Sequence, residues 1–190
     1  MLMRIAGVYD DHCHSIPLAH QIQRIYERTL TSQVFPGDIS HGQSFVHLED
    51  LIDAFLLIVE RRYQLPRELT LLIGESETLS YEELQRTLGQ LIHSEEWETK
   101  EIPKSLAKVG AWFQDKMPLV EDPFIKPWMI DLADDHYALD ITRARTLLGW
   151  EPKHSLRNTL PKMVNALKAS PTNWYRENKL EPPKSRETAA

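Results

Sequence analysis

Leu2-Met3-Arg4-Ile5-Ala6-Gly7-Val8-Tyr9 decides how the rest of the chain is read. The run holds one charge and no polar alternation, which is the pattern of a buried strand. Such strands lie inside parallel sheets covered on both faces. Parallel strands are reached through crossovers, so neighbours are required and the run is expected to begin in the middle of a fold.

After this strand, Asp10 to Ser15 reads as a polar loop, and Pro17 suits the first turn of a helix running to about Leu30. Val34 to Asp38 and Gln43 to Val46 read as two short strands around a Gly-containing turn. Leu48 to Arg62 is an apolar helix carrying Leu51, Ile52, Phe55, Leu56 and Val59. Its apolar residues spread around much of the circumference, so deep burial is expected. Leu69 to Ile73 is a second run suited to a parallel strand, closed by Gly74. Ser80-Tyr81-Glu82-Glu83 is a capping box opening a helix with Leu84, Leu88, Leu91 and Ile92 on one face.

Further on, Glu98 to Ile102 reads as a strand, Pro103 to Lys116 as a helix, and the proline-bearing stretch Met117 to Trp128 as irregular. Asp140 is an N-cap candidate for Ile141 to Leu148, with Gly149 as the stop. The last helix carries Leu156, Leu160, Met163, Val164 and Leu167; Pro161 implies a kink or a start near Asn158. Trp174 and Tyr175 are expected to pack the terminal segment onto the domain. The polar end from Glu181 to Ala190 is expected to be partly disordered, so 1–170 reads as the domain and 171–190 as a tail or linker.

With 190 residues, 42% hydrophobic and 26% charged, the chain can build a core. Its net charge of −6 argues against nucleic acid, which calls for a basic face. Cys13 is the only cysteine, which excludes an intramolecular disulfide and agrees with a reducing, cytoplasmic setting. The longest apolar run, Ala54 to Val59, is far below the roughly 20 residues that span a bilayer.

Three segments together carry a likeness. Leu2 to Tyr9 resembles the "LR-x-x-x-VYG" strand of extended short-chain dehydrogenases/reductases, and Gln43-Ser44-Phe45-Val46-His47-Leu48-Glu49-Asp50-Leu51 resembles their "FVHVDDL" segment. Tyr137 to Pro152, with Leu147-Leu148-Gly149-Trp150-Glu151-Pro152, is similar to their "D-x-S/T-x-A-x-x-x-LGW-x-P" close. The resemblance covers about Leu2 to Lys168 and implies the NAD-dependent epimerase/dehydratase branch. The implied fold is α/β: the C-terminal part of a Rossmann-type extended short-chain dehydrogenase/reductase, its last parallel strands plus a mainly helical substrate-binding subdomain.

The resemblance implies that Gly7 and Val8 approach the nicotinamide of NAD or NADP. It also implies that Ala6, Tyr9, Gln43, Ser44, Phe45 and Arg143 contact substrate. The substrate would be a small molecule such as a nucleotide sugar. Where many relatives place a phosphate-holding Arg, this chain has Gln43, which brings no charge; the loop Gly after "VY" is Asp10. Arg143 and Arg145 read either as phosphate contacts or as a solvated helix face, and His47 and Asp50 mainly as helix caps.

The dinucleotide-cradling Gly-rich turn has no counterpart, because the seven glycines are scattered. Tyr175 and Lys179 form a Tyr-x-x-x-Lys, but with no cofactor fold before it the match reads as chance. His12-Cys13-His14 after Asp10 and Asp11 suggests a metal, yet neighbouring side chains seldom point the same way, and a polar or substrate loop is the competing reading. No catalytic or metal-ligating residue is assigned.

Two functions follow. The chain is expected to be the substrate-binding portion of an NAD(P)-dependent sugar-nucleotide epimerase, dehydratase or reductase, silent and binding no cofactor without the other half. Alternatively it is a non-catalytic binding or interaction module derived from that family. Uncovered parallel strands are expected to expose edges and apolar faces, giving a weakly stable or self-associating protein, with a homo-oligomer as one outcome.

Overall fold

The computed structural model describes residues 1–105 and 135–182. The expected helix from Pro103 and the stretch Met117 to Trp128 lie mostly or wholly outside these residues, as does the end of the tail.

The opening run forms two strands, β1 (Leu2–Ile5) and β2 (Gly7–Tyr9), rather than one. The break at Ala6 is a change of partner. β1 runs parallel to β5 (Thr70–Ile73), whereas β2 runs parallel to β4 (Phe45–His47), in register Gly7 with Phe45 and Tyr9 with His47. Between them the Ala6 amide donates to the Ile73 carbonyl at 2.9 Å and the Gly7 amide to the Ser44 carbonyl at 3.2 Å. The expected burial of this run is corrected: Leu2 and Ile5 are exposed, because side chains leave a strand through the sheet faces and these two lack a covering layer among the described residues.

β3 (Val34–Pro36) pairs parallel with β6 (Lys100–Ile102). The two strands expected to flank the turn at Gly37 therefore do not pair with each other. Each finds a distant parallel partner, which the α/β layering favours over a local hairpin.

Helix α1 (Ile16–Tyr26) starts at a proline and stops four residues earlier than expected; Arg28 then takes a left-handed backbone, and Leu30–Gln33 forms a short 3-10 turn. Helix α2 is Leu48–Arg61 and α3 is Tyr81–His93, the latter with both halves of its capping box formed. Next come α4 (Thr142–Leu148), α5 (Leu156–Ala169) and α6 (Pro171–Glu177). The α5 helix starts at Leu156, capped by Ser155, and carries Pro161 in its interior, so the alternative start near Asn158 does not apply.

The apolar residues form two clusters. One joins α1, α3, α5 and α6 around Ile22, Leu88, Leu160, Trp174 and Tyr175, and takes in Tyr9 and Phe45 from the sheet. The other packs α2 and α4 on β4 and β5 through Val46, Ala54, Leu71, Ile73, Leu148 and Trp150. Trp174 and Tyr175 thus pack the terminal helix into the core as expected.

The expectation of a deeply buried α2 is corrected. Only its inner stripe, Leu51, Ala54 and Ile58, is covered; Leu48, Ile52, Phe55, Leu56 and Val59 remain 42–58% exposed. One cylinder can turn only one face to a sheet, so a helix apolar all round needs a second layer to bury the rest. Among the described residues no helix is long and apolar enough to cross a membrane.

Candidate functional site

β5 ends at Ile73 beside the starts of β2 and β4, with Glu75 donating its amide to the Phe45 carbonyl at 2.7 Å, and in α/β sheets ligands gather beyond strand carboxyl ends such as that of β5. Close approach there depends on glycine. A Cβ on Gly74 would lie 2.7 Å from Leu139 Cδ1, 2.9 Å from Ser44 Oγ and 3.1 Å from Ala6 Cβ; one on Gly7 would lie 2.8 Å from the Phe45 ring. Ala6, Gly7, Ser44 and Phe45, four of the residues expected at the site, are therefore brought together by backbone contact.

Gln43 is exposed and bridges in parallel to Tyr137 of the third motif segment, whose amide donates to the Gly42 carbonyl at 2.9 Å. Val8 is half-buried opposite Val46. Arg143 lies on the exposed side of α4, and Arg145 pairs with Glu151 at 3.0 Å.

Tyr9 is placed inside the protein rather than at a surface. Its ring meets Phe45 and His47 edge-on, and its hydroxyl donates to Glu75 Oε1 at 2.7 Å. The other carboxylate oxygen of Glu75 accepts the Leu156 amide at 2.8 Å, at the start of α5. Burial pushes the Glu75 carboxyl up to about 7, outweighing the hydrogen bonds that pull it down. Burial, then the bond to Glu75, raises the Tyr9 phenol well above its usual range.

Beside this pair lies a second polar group. His47 caps α2, its Nδ1 accepting the Glu49 amide at 3.3 Å, while its ring stacks on His154 at 4.1 Å. Asp50, expected mainly as a cap, is buried in the first turn of α2, and its two carboxylate oxygens accept the His154 amide at 2.9 Å and the His154 Nδ1–H at 3.1 Å; the cap itself is His47. The Asp50 carbonyl accepts the indole N–H of buried Trp150 at 2.9 Å. The second and third motif segments are thereby fastened together.

His47, Glu49 and His154 each bring one ligand-type atom within 4.8 Å of the others. The imidazole planes lie only 20° apart in the stack, so their in-plane lone pairs run side by side instead of converging on one point. Because His47 Nδ1 accepts an amide, its proton sits on Nε2, facing Asp11 Oδ1 at 3.5 Å. That buried nitrogen makes no hydrogen bond.

The His12-Cys13-His14 loop splits as its alternation implies. Cys13 is fully buried, with burial raising its thiol to about 12, while the two histidines face outward and His14 Nδ1 contacts Asp10 at 2.6 Å. Tyr175 gives its hydroxyl to Glu27 at 2.7 Å, and Lys179 is exposed.

Glu75 and His154 escaped the sequence reading. An acid directly after the strand-closing Gly74 was the available signal for Glu75; nothing local marks His154, whose partner Asp50 is 104 residues away.

Neither a protein-family model nor a curated protein sequence matches the chain. Solved structures do. A UDP-glucose 4-epimerase from Thermotoga maritima, solved with UDP-glucose, is 20% identical with a TM-score of 0.57, matching 88% of this chain and 45% of its own. An epimerase from Methanothermobacter thermautotrophicus is 16% identical with a TM-score of 0.59, over 93% of this chain and 44% of its own. A UDP-glucuronic acid 4-epimerase from Bacillus cereus, in complex with UDP-glucuronic acid and NAD, is 18% identical with a TM-score of 0.55, over 88% of this chain and 44% of its own. The chain spans a little under half the length of these proteins, and what it shares with them is an α/β fold, that of part of a sugar-nucleotide epimerase.

Proposed function

We propose that the chain is the substrate-binding portion of an NAD(P)-dependent sugar-nucleotide epimerase, dehydratase or related reductase of the extended short-chain dehydrogenase/reductase family, silent without a cofactor-binding half. One observation carries this reading. The three motif segments, distant in sequence, are joined through the β2–β4 pairing, the Gln43–Tyr137 bridge and the Asp50–Trp150 hydrogen bond. Chance matches to separate motifs would have no reason to share contacts.

Ala6, Gln43, Ser44 and Phe45 are assigned to the substrate side, with Tyr9 supporting them from inside through Glu75. Arg143 is the one cation on this list, suited to a diphosphate. Gly7 and Val8 would form one wall by the nicotinamide, and the exposed Gly7 backbone leaves room for it. A phosphate cradle does not fit this chain's residues, whose glycines are scattered. In a complete site NAD or NADP would supply hydride transfer at a sugar carbon, and the residues here would bind and orient the substrate. A cytoplasmic setting agrees with the single, buried thiol.

Titration of the isotope-labelled chain with UDP-glucose, followed by amide NMR, tests this. Saturable shifts are expected at residues 6–8 and 43–45, with affinity falling roughly 3- to 10-fold in Gln43→Ala. Shifts absent from these segments up to saturating ligand would defeat the assignment. A Gly-rich strand–turn–helix and a Tyr-x-x-x-Lys encoded in frame upstream would separate the enzyme from a non-catalytic module.

A further inference from the structure

Three buried side chains form a row from just past β5, across the end of β2, into α5: Glu75, Tyr9 and Thr159, all under 5% exposed. Tyr9 donates its hydroxyl to Glu75 Oε1 at 2.7 Å, and the Thr159 hydroxyl hydrogen-bonds the Tyr9 oxygen. Thr159 Oγ1 also donates to the Ser155 carbonyl at 3.0 Å, within the first turn of α5. A hydroxyl carries one proton and can both donate and accept, so each member of the row can face its neighbour either way. With Glu75 ionised, the Tyr9 proton points at the carboxylate. Thr159 then has one proton for two acceptors, the Tyr9 oxygen and the Ser155 carbonyl.

We propose that this row is a proton-binding chain that reverses its direction when Glu75 takes up a proton. The proton enters on Oε1, and the carboxyl then donates to the Tyr9 oxygen. Tyr9 turns its own O–H to Thr159 Oγ1, and Thr159 gives its proton to the Ser155 carbonyl alone. One O–H bond forms and none breaks, and every buried hydroxyl keeps an acceptor, as buried polar groups require. Donors aligned head to tail also polarise one another, which favours the reversed row as a unit. Proton uptake thus commits Thr159 to the first turn of α5, while the Leu156 amide exchanges a charged acceptor for a neutral one.

The surroundings favour the exchange. Burial first, then the like charges of Asp50 on α2 and Glu77 after β5, lift the Glu75 carboxyl to about 7. His47 of β4 meets the Tyr9 ring edge-on at 5.2 Å. At the α5 end, His154 is held by Asp50, and Arg157 by Glu77 and Glu83. The Glu75 backbone connects the row to the candidate site: its amide donates to the Phe45 carbonyl at 2.7 Å, and its carbonyl accepts Ser44 Oγ at 3.5 Å. This inference is independent of the substrate reading.

Carbon-detected NMR of the 190-residue chain, titrated over about pH 5–9, reads the Glu75 carboxyl directly, with Glu75→Gln identifying its signal. In the parent, the Tyr9 Cζ carbon and the Leu156 amide should titrate with Glu75 at one midpoint. Thr159→Val touches Tyr9 and not Glu75, and removes the acceptor to which the Tyr9 hydroxyl turns. It should lower the Glu75 midpoint by roughly one pH unit, and Thr159→Ser should restore it. A midpoint that is unchanged or raised in Thr159→Val overturns the proposal. Should that variant misfold by circular dichroism, the parent alone decides: a Tyr9 Cζ signal that stays fixed while Glu75 titrates also overturns it.

Discussion

Tyr9 and Glu75, at the carboxyl ends of neighbouring parts of the sheet, share a buried 2.7 Å hydrogen bond across 66 residues of sequence. Through its second oxygen Glu75 also holds the first amide of α5. One carboxyl group therefore fixes a strand end to the helix that closes the core.

This placement gives stability a defined pH dependence. The folded-state Glu75 carboxyl titrates at about 7, above its ordinary 4.5, chiefly because burial disfavours the charge. The folded protein then holds more protons than the unfolded chain between pH 4.5 and 7, so this group's contribution is full below that window and is lost as pH rises through it. The loss amounts to roughly 3 kcal/mol at most. Urea unfolding at successive pH values should show the decline, and Glu75→Gln should flatten it. Stability that climbs through this window in the parent but not in the variant would contradict the assignment.

Asp50→Ala should destabilise by roughly 2–4 kcal/mol, since it strips a buried acceptor from both the His154 amide and its ring. Trp150→Phe loses the N–H donated to the Asp50 carbonyl and leaves part of the buried indole volume empty, and should cost roughly 2–3 kcal/mol. Denaturant midpoints measure both; an Asp50→Ala variant as stable as the parent would mean that the buried carboxylate does not fasten this loop.

Gly74→Ala puts a methyl within 3.1 Å of Ala6, Ser44 and Leu139 atoms, which overpacks the point where the motif segments meet. A loss of about 1–3 kcal/mol is expected. Any UDP-glucose affinity should fall with it, as Ala6 and Ser44 are pushed apart. Gly149→Ala serves as the comparison. Its strain comes from a left-handed φ of 60°, so about 1 kcal/mol should be lost with ligand binding unchanged.

Tyr175→Phe should cost about 1 kcal/mol by releasing Glu27, whereas exposed Lys179→Ala should stay within about 0.5 kcal/mol. Neither should alter ligand binding. A selective loss of activity in Lys179→Ala, in a reconstituted system, would revive the Tyr-x-x-x-Lys pair as chemistry.

Features written in short stretches were legible. Ser80 and Glu83 form their reciprocal cap at 3.1 Å in each direction, and Gly149 closes α4 in the left-handed region. Asp140 accepts the Thr142 amide at 2.9 Å but is not the N-cap it was expected to be: the helix opens one residue later, with Ile141 at that position. Ala6, Gly7, Ser44 and Phe45 lie together where β2 meets β4. Tyr9 was expected to face a ligand, yet its hydroxyl turns to Glu75, an acid whose partners come from β2 and α5.

The amino-acid order by itself determined most of the helices and the Ser80 and Gly149 caps, because these depend on sterics and hydrogen bonds within a few residues. Only the tertiary structure decided which strand each half of Leu2 to Tyr9 would pair with, and which face of α2 would meet the sheet. It also decided that Glu75, Asp50 and His154 would be buried as partners. Such choices weigh groups tens of residues apart, whose desolvation is offset only when the chain has brought the right donor alongside.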